Sequence, residues 1–173
     1  MIRILVLIPL LLASIGCTTH THPLLQTTAP AASTYDWNAE IGSVFKMRGE
    51  LKDDVYTITI PRNDLDVKID GMSVPTAAGI FSTFRFYHCS CGKISVLGEF
   101  ICEDFEANDV IETLHVGSVI RLAGMGPIAL GDKPRLISIR FHGEGEGPDL
   151  AKRIQAGLRW TGEARSKPMP LNK

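Results

Sequence analysis

Apolar and polar side chains alternate along much of residues 44–102, and alternation with a period of two predicts β-strands. Val44–Arg48 and Val55–Ile60 alternate or carry β-branched side chains, and Lys52–Asp54 favours a turn between them, so we expect a hairpin. Further strands are predicted at 65–69, 81–87 and 94–102, with a bulge at Gly98 in the last of them.

The apolar spacing then changes to a helical period, which predicts a helix over 103–117. Two more strands are predicted at 119–122 and 135–141, and a flexible glycine-rich loop at 143–147. A second helix, over 148–158, begins with Pro and Asp, which suit a first helical turn. This order predicts an α+β fold: a mainly antiparallel sheet with two helices packed on one face.

The first residues of the chain have the layout of a bacterial lipoprotein signal. Arg3 precedes an apolar run at Ile4–Ile15, and small residues precede Cys17. The run is shorter than the roughly 20 apolar residues that a membrane-spanning helix needs, and Pro9 interrupts it. We therefore predict a signal peptide at 1–16 and a lipid on Cys17.

The next segment has the composition of a linker. Residues 18–34 are rich in Thr, Ala and Pro and show neither a helical nor an alternating period. We expect residues 17–34 to be the lipidated cysteine and a flexible tether with an r.m.s. reach of roughly 20 Å. A single α+β domain is predicted at 35–165, followed by a frayed tail at 166–173.

The charges of the chain are nearly balanced. Its 18 Lys and Arg residues stand against 19 Asp and Glu residues, a formal net charge of −1, with both signs interspersed. No basic face indicates a nucleic-acid partner. The expected partners are the membrane, through the lipid on Cys17, and an unknown ligand or protein of the bacterial cell envelope. In a Gram-negative host, Thr18 and Thr19 favour the outer membrane, facing the periplasm.

The soft metal ligands of the chain are close together in the sequence. Thiols and imidazoles bind Zn(II) or Cu(I), so His88, Cys89 and Cys91 are a candidate metal site. Cys102 lies about ten residues beyond the turn, too far to join them at about 3.3 Å per strand residue. A Cys89–Cys91 disulfide would close a very small, strained ring. We expect a semi-exposed thiol pair, a buried Cys102 and no cofactor, with the metal site and the disulfide as alternatives.

Charged residues near the predicted strands are the candidate ligand-binding residues. Arg62 and Asp64 follow one strand, and Glu99 lies on another. Arg140 and His142 have even spacing with Ser138, and the three are therefore expected on one face of the sheet. The sequence contains neither a Gly-x-Ser-x-Gly elbow nor a His-Glu-x-x-His motif, so the common hydrolase classes are not supported.

Several spaced segments carry a resemblance to a known family. They are Val55–Leu65, Gly71–Pro75, Leu97–Phe100, Leu130–Leu136 and Phe141–Leu158. Together they resemble the LppY/LpqO family of bacterial lipoproteins, a domain of unknown function. The likeness spans about Val44 to Ala164, nearly the whole predicted domain.

The resemblance has one implication for the site. Typical family members carry a His-x-His pattern before the Leu-Gly-x-x-Pro-Arg segment and another His on the following strand, and three such imidazoles resemble a metal site. The corresponding positions here hold Gly126, Ile128 and Arg140. The chain is thus identified as a divergent member that lacks this triad. Arg140 would place a positive charge where a cation would sit, which favours an anionic ligand or none.

These observations favour a lipid-anchored envelope protein with a non-enzymatic binding or structural role and an unknown ligand. The alternative is a metal-binding protein or an enzyme that uses a substituted site. Such a site would consist of Asp64, Glu99 and His142, or of the thiols of Cys89 and Cys91.

Overall fold

The computed structural model describes residues 34–117, 119–129 and 131–162, and from Tyr35 onward these residues belong to one compact unit. The predicted signal peptide, Cys17, nearly all of the predicted tether and the predicted tail lie outside the described residues. The described part is mainly antiparallel sheet with three α-helices, which agrees with the α+β class.

A six-stranded antiparallel sheet forms the centre of the fold. In chain order its strands are β1 (Glu50–Lys52), β2 (Val55–Pro61), β5 (Phe81–His88), β6 (Ile94–Glu103), β7 (Ile120–Pro127) and β9 (Leu136–Gly145). Their spatial order is β1-β2-β5-β6-β9-β7, so β9 lies between β6 and the edge strand β7. A second, three-stranded sheet has the order β4-β3-β8 and consists of β3 (Lys68–Ile69), β4 (Met72–Ser73) and β8 (Asp132–Lys133).

The helices lie before, between and after the long strands. A π-helical turn at Asn38–Gly42 continues into the short helix α1 (Ser43–Phe45), and a 3₁₀ turn occupies Thr76–Ala78. Helix α2 is Ala107–His115 and helix α3 is Gly147–Leu158. The two longer helices confirm the elements predicted at 103–117 and 148–158, although α2 begins later than expected.

The strand predicted at Val44–Arg48 is wrong. This segment is helical up to Phe45, and Lys46 then adopts a left-handed conformation with φ of 55°. The reason is tertiary: Ile41 is fully buried in the core, and the hydroxyl of Tyr56 accepts a hydrogen bond from Gly49 N and donates one to Asn38 Oδ1, each at 2.8 Å. The short strand β1 pairs with β2 instead, across a turn at 53–54.

The bulge predicted at Gly98 is also wrong. Strand β6 pairs in continuous register with β5 and with β9 through this residue, and the irregularity lies in β7, between Leu122 and Gly124. Gly98 is required by packing, because a Cβ there would lie 2.0 Å from Cζ of Phe141 on the neighbouring strand. A glycine inside a strand therefore marks a close approach of a ring here.

Several other boundaries differ from the sequence prediction. The glycine-rich segment 143–147 is not a loop, because β9 continues to Gly145 and α3 begins at Gly147. Gly143 pairs with both Val96 and Ile120, and a Cβ on it would lie only 2.9 Å from the backbone oxygen of Val119. Of the strand predicted at 65–69, only Lys68–Ile69 is paired.

Alternate residues of the long strands enter the main hydrophobic core. Phe84, Val96, Phe100 and Phe141 are almost completely buried there. The same core cluster takes Trp37 and Ile41 from the N-terminal segment, Val110 and Leu114 from α2, and Leu150, Ala151 and Ile154 from α3. A second, smaller cluster contains Ile101 of β6 and Leu136 of β9, together with Val67 and Ile80. Ile101 follows Phe100 on β6 and therefore lies on the opposite face of the sheet from the main core. No helix of the described residues is long and apolar enough to cross a membrane.

Candidate functional site

The face of the six-stranded sheet opposite the main core carries the candidate site. Side chains alternate along a strand, so the residues between the buried ones point away from that core. We define the open face as the set of residues that follows from this alternation on the four strands β5, β6, β9 and β7. Between the row of Ser95 and the row of Ser138, its members outside the second hydrophobic cluster are Thr83, Arg85, Tyr87, Ser95, Leu97, Glu99, Arg121, Gly124, Gly126, Ser138, Arg140, His142 and Glu144.

The strand register arranges the open face in rows that run across the sheet. In one row, Arg85 is opposite Leu97, Leu97 is opposite His142, and His142 is opposite Arg121. In the next row, Thr83, Glu99, Arg140 and Gly124 stand in the same strand order. The structure therefore brings together three of the predicted site residues, Glu99, Arg140 and His142.

Glu99 and Arg140 are directly opposite each other but are not paired as an ion pair in the described residues. The carboxylate of Glu99 instead accepts a short hydrogen bond from the hydroxyl of Ser138, which lies one row further along β9. The guanidinium of Arg140 extends over β7, where it comes within 3.4 Å of the position that a Cβ on Gly124 would occupy. A Cβ at this position would therefore make an ordinary van der Waals contact with the guanidinium.

Three guanidinium groups remain available on the open face. Arg85, Arg121 and Arg140 are exposed, and none has an ion-pair partner within the described part of the chain. Their carboxylate neighbours on this face are Glu99 and, one row beyond His142, Glu144. Because guanidinium groups donate several hydrogen bonds in a fixed plane, this arrangement suits a ligand with carboxylate, sulfate or phosphate groups.

Arg62 and Asp64 belong to a different cluster, away from the open-face residues. Arg62 is only 3% exposed and holds two carboxylates: Asp64 at 2.9 Å and Glu106 at 2.9 Å. Its Nη1 also donates to the backbone oxygen of Ile101. Glu106 accepts two further hydrogen bonds, from the backbone N–H groups of Glu103 and Gly162. We call Arg62, Asp64 and Glu106 the buried ion cluster.

The charged groups of the buried ion cluster are paired with one another, and the cluster connects several elements of the fold. It ties the end of β2 to β6, to the start of α2 and to the residues after α3. Burial by itself raises the pKa of Asp64, but the hydrogen bonds and the charge of Arg62 outweigh it and lower that pKa below its usual value. For Glu103, burial and the charge of Glu106 raise the pKa.

The three residues of the predicted substituted site, Asp64, Glu99 and His142, do not lie together. Asp64 is held by Arg62, whereas Glu99 and His142 are on the open face. Within the described residues, no group of three or more His, Cys, Asp or Glu side chains could hold a metal ion. Gly126 and Arg140, two of the positions where the family resemblance implies imidazoles, both lie on the open face. The third position, Ile128, packs against the second hydrophobic cluster.

The thiols at the β5–β6 turn differ from the expectation. Cys89 and Cys91 form a disulfide, and the expected thiol pair is therefore wrong. The turn itself brings the two Cα atoms to 5.2 Å, an ordinary separation for a disulfide. Gly92, with φ of 79°, and hydrogen bonds from Cys89 N to Lys93 O and from Gly92 N to Cys89 O close this turn.

Cys102 is buried and unpaired, as predicted. It lies near the far end of β6 from the disulfide, which confirms that it cannot join the thiols at the turn. Burial, with a smaller effect of the charge of Glu106, raises the pKa of Cys102 to about 12. The thiol therefore stays protonated at neutral pH and behaves as a small apolar side chain.

A cavity of about 430 Å³ lies beside the β5–β6 turn, where Tyr35, His88 and Lys93 meet the start of α3. Glu40, Glu146 and Asp149 also line it. The ring of His88 makes edge contacts with the rings of Tyr35 and Trp37. Burial, followed by the charges of Glu40 and Glu146, raises the pKa of Tyr35 to about 12. The predicted metal residue His88 therefore packs among aromatic rings.

The sequence analysis missed Arg85, Arg121 and Glu106 as functional residues. Arg85 and Arg121 stand at polar positions of predicted strands, a pattern that also describes any solvated strand face. Only the strand order, which places β9 between β6 and β7, shows that they share a face with Arg140. Glu106 is polar at the start of a predicted helix, and its burial depends on a partner 44 residues earlier in the chain.

Comparisons with known proteins give one match. No curated protein and no solved structure matches the chain. The family model DUF1529, described as a domain of unknown function (DUF1259), matches residues 39–160. This region runs from the N-terminal π-helical turn to just beyond α3 and includes the whole open face and Arg62 and Glu106. Because the match covers well over half of the chain, the protein belongs to the DUF1259 family of domains of unknown function.

Proposed function

We propose that this chain is a lipid-anchored binding protein of the bacterial cell envelope, of the LppY/LpqO type, and that it binds an anionic ligand on the open face. In this proposal the lipid on Cys17 holds the protein at the membrane. Residues of α2 and α3 belong to the main core, whereas Arg85, Leu97 and Arg140 on the open face are exposed, so we expect a ligand to reach the open face.

One observation carries the binding part of the proposal: three exposed guanidinium groups share one sheet face, and the described residues supply no ion-pair partner for them. In contrast, Arg62 is buried and already holds two carboxylates. A chain with a formal net charge of −1 has no overall attraction for anions, so any anion binding would depend on this local concentration of cations.

We expect the open face to bind a soluble polyanion. With the full chain in a non-ionic detergent and sulfated dextran as the probe, the triple variant Arg85→Gln, Arg121→Gln, Arg140→Gln should bind about tenfold more weakly, because three exposed charge contacts of about 0.5 kcal/mol each together correspond to roughly a factor of ten. Isothermal titration calorimetry at low salt measures the dissociation constants.

A matched control removes the same number of charges elsewhere. Lys46, Lys152 and Arg159 are exposed residues of the helical side of the domain. Their joint replacement by glutamine changes the net charge equally and should leave binding within about twofold of the original chain. Equal loss of binding in both triple variants would show that only net charge matters, and the proposed site would then be wrong.

We expect Cys17 to carry the lipid. Cells that express the full chain in the presence of radiolabelled palmitate should incorporate the label, and Cys17→Ser should abolish incorporation, because the acyl chains of a bacterial lipoprotein are attached at this cysteine. The variant Cys89→Ser, Cys91→Ser keeps Cys17 and should keep the label. A labelled Cys17→Ser protein would refute the anchor without affecting the proposed binding site.

A further inference from the structure

The open face combines hydrogen-bond acceptors with its cations. Glu99 lies in the middle of the four strands, directly opposite Arg140 and in the row next to Leu97 and His142. The carboxylate accepts one hydrogen bond, from Ser138, whereas a carboxylate offers about four acceptor positions. A ligand on this face would therefore lie beside the negative charge of Glu99 as well as the guanidinium groups. Its hydrogen-bond donors could bind the carboxylate oxygens of Glu99.

This carboxylate disfavours one class of ligand. A ligand whose only polar groups are phosphates or sulfates has no donors for Glu99 and would be repelled by it. A ligand that alternates carboxylates with hydroxyl groups would satisfy both, since its carboxylates accept from arginine and its hydroxyls donate to Glu99. Sugar acids have this composition.

The row that contains Arg85, Leu97, His142 and Arg121 adds an apolar element. Leu97 is 49% exposed and lies between Arg85 and His142 in the register of the sheet. A sugar ring presents C–H groups on its face and hydroxyl or carboxylate groups on its edge. An exposed leucine flanked by donors suits such a ring better than it suits a fully solvated phosphate.

The spacing of the cations indicates an extended ligand. Three strand-to-strand steps separate Arg85 on β5 from Arg121 on β7, which corresponds to about 14 Å across the sheet. Arg140 lies between them, one row away. A chain of several linked sugars matches this separation of the strand positions better than a single sugar does.

We infer that the open face binds an acidic oligosaccharide, a chain of sugar rings that carry carboxylates beside free hydroxyl groups. This inference rests on the proposed function and names the ligand class for the same site. Arg85, Arg121 and Arg140 bind the carboxylates, Glu99 accepts from hydroxyl groups, and Leu97 contacts a ring face.

The test compares ligands that differ in one property. The probe is an oligogalacturonate with several sugars, and its fully methyl-esterified form is the uncharged control. Linear polyphosphate with the same number of charges, and vesicles that contain phosphatidic acid, represent anions without alcohol hydroxyl groups. With the full chain in non-ionic detergent for the soluble probes, or reconstituted for the vesicles, we expect binding of the oligogalacturonate to be about tenfold or more tighter than binding of its ester and of polyphosphate.

The variant Glu99→Gln separates this inference from simple charge attraction. It keeps the size of the side chain and removes its negative charge, so oligogalacturonate binding should weaken about fivefold while polyphosphate binding becomes tighter. Ser138→Ala, which removes only the existing partner of Glu99, should change the preference between the two probes by less than about twofold. Circular dichroism confirms that both variants are folded.

Each outcome has a distinct meaning. If polyphosphate or the anionic vesicles bind as tightly as the oligogalacturonate, or if Glu99→Gln strengthens binding of both soluble probes, the sugar-acid inference is wrong and the general anion site stands. If neither these probes nor sulfated dextran binds more weakly to the triple arginine variant than to the original chain, the proposed function itself is wrong.

Discussion

Replacement of Arg62 by alanine is expected to destabilise the folded domain by about 3–5 kcal/mol, because it leaves a buried carboxylate without its positive partner. Glu106 is only 1% exposed and would keep two backbone N–H partners but no cation. Urea unfolding, followed by the fluorescence of Trp37 and Trp160, measures the free energy of unfolding. The exposed Arg121→Ala should change it by no more than about 0.5 kcal/mol.

A double variant distinguishes charge burial from lost packing. In Arg62→Ala, Glu106→Gln the deeply buried position 106 no longer carries a charge, and the unpaired charge that stays is that of Asp64, whose side chain is 20% exposed, so we expect roughly half of the lost stability to return. An additive effect of the two changes would mean that Arg62 acts mainly through the packing of its side chain. In that case the buried ion cluster would not be the reason for the destabilisation.

The same cluster predicts a dependence on pH. The folded pKa of Asp64 lies below the ordinary value of 3.8, so its contribution is present above pH 3.8 and is lost as the pH falls through the lower, folded value. Asp64→Asn should reduce the loss of stability in this acid range. Arg62→Ala should reduce it too, since the charge of Arg62 causes the low pKa. An unchanged acid profile in both variants would contradict this coupling.

Gly98→Ala should destabilise the domain by about 3 kcal/mol, because the added methyl group would overlap the ring of Phe141, which is 2% exposed. Phe141 packs against Phe84 and Phe100 in the main core, so its ring cannot move without disturbing them. Thermal and urea unfolding of the purified variant measure the effect.

Gly126→Ala is the matched control for this substitution. Gly126 also lies within a strand of the six-stranded sheet, but nothing lies within 4 Å of the position that its Cβ would take. We expect its replacement to be neutral or to stabilise the domain by about 0.5 kcal/mol, because alanine loses less backbone freedom on folding. Similar destabilisation in both variants would mean that strand glycines matter for backbone reasons rather than for the contact with Phe141.

Local sequence signals predicted the elements whose stability depends on their own residues. The β-branched run of β2 and the apolar spacing of α3 indicate strand and helix without any knowledge of their partners. The burial of Cys102 could also be predicted, since it follows apolar residues on a long strand. These features depend on interactions between neighbours in the chain or on burial of one side of an element.

Packing between distant segments overrode the local pattern elsewhere. The segment 38–45 is helical because Ile41 is buried in the main core and Tyr56 donates a hydrogen bond to Asn38, and the disulfide forms because the turn brings Cys89 and Cys91 together. Gly98 has a sequence signal, a glycine within a strand, but the ring that explains it comes from a residue 43 positions away in the chain, Phe141. Such contacts between distant residues leave no periodic trace in the sequence.

The sequence by itself determined that this protein has an α+β domain with a mainly antiparallel sheet, and it identified Glu99, Arg140 and His142 as candidates on strands. Only the tertiary structure decided that these three share an open face with Arg85 and Arg121, and that Arg62 and Asp64 are held in a buried ion cluster with Glu106. The physical reason is that a strand's alternation depends on its own residues, whereas its neighbours in the sheet and the partners of its charges depend on the whole fold.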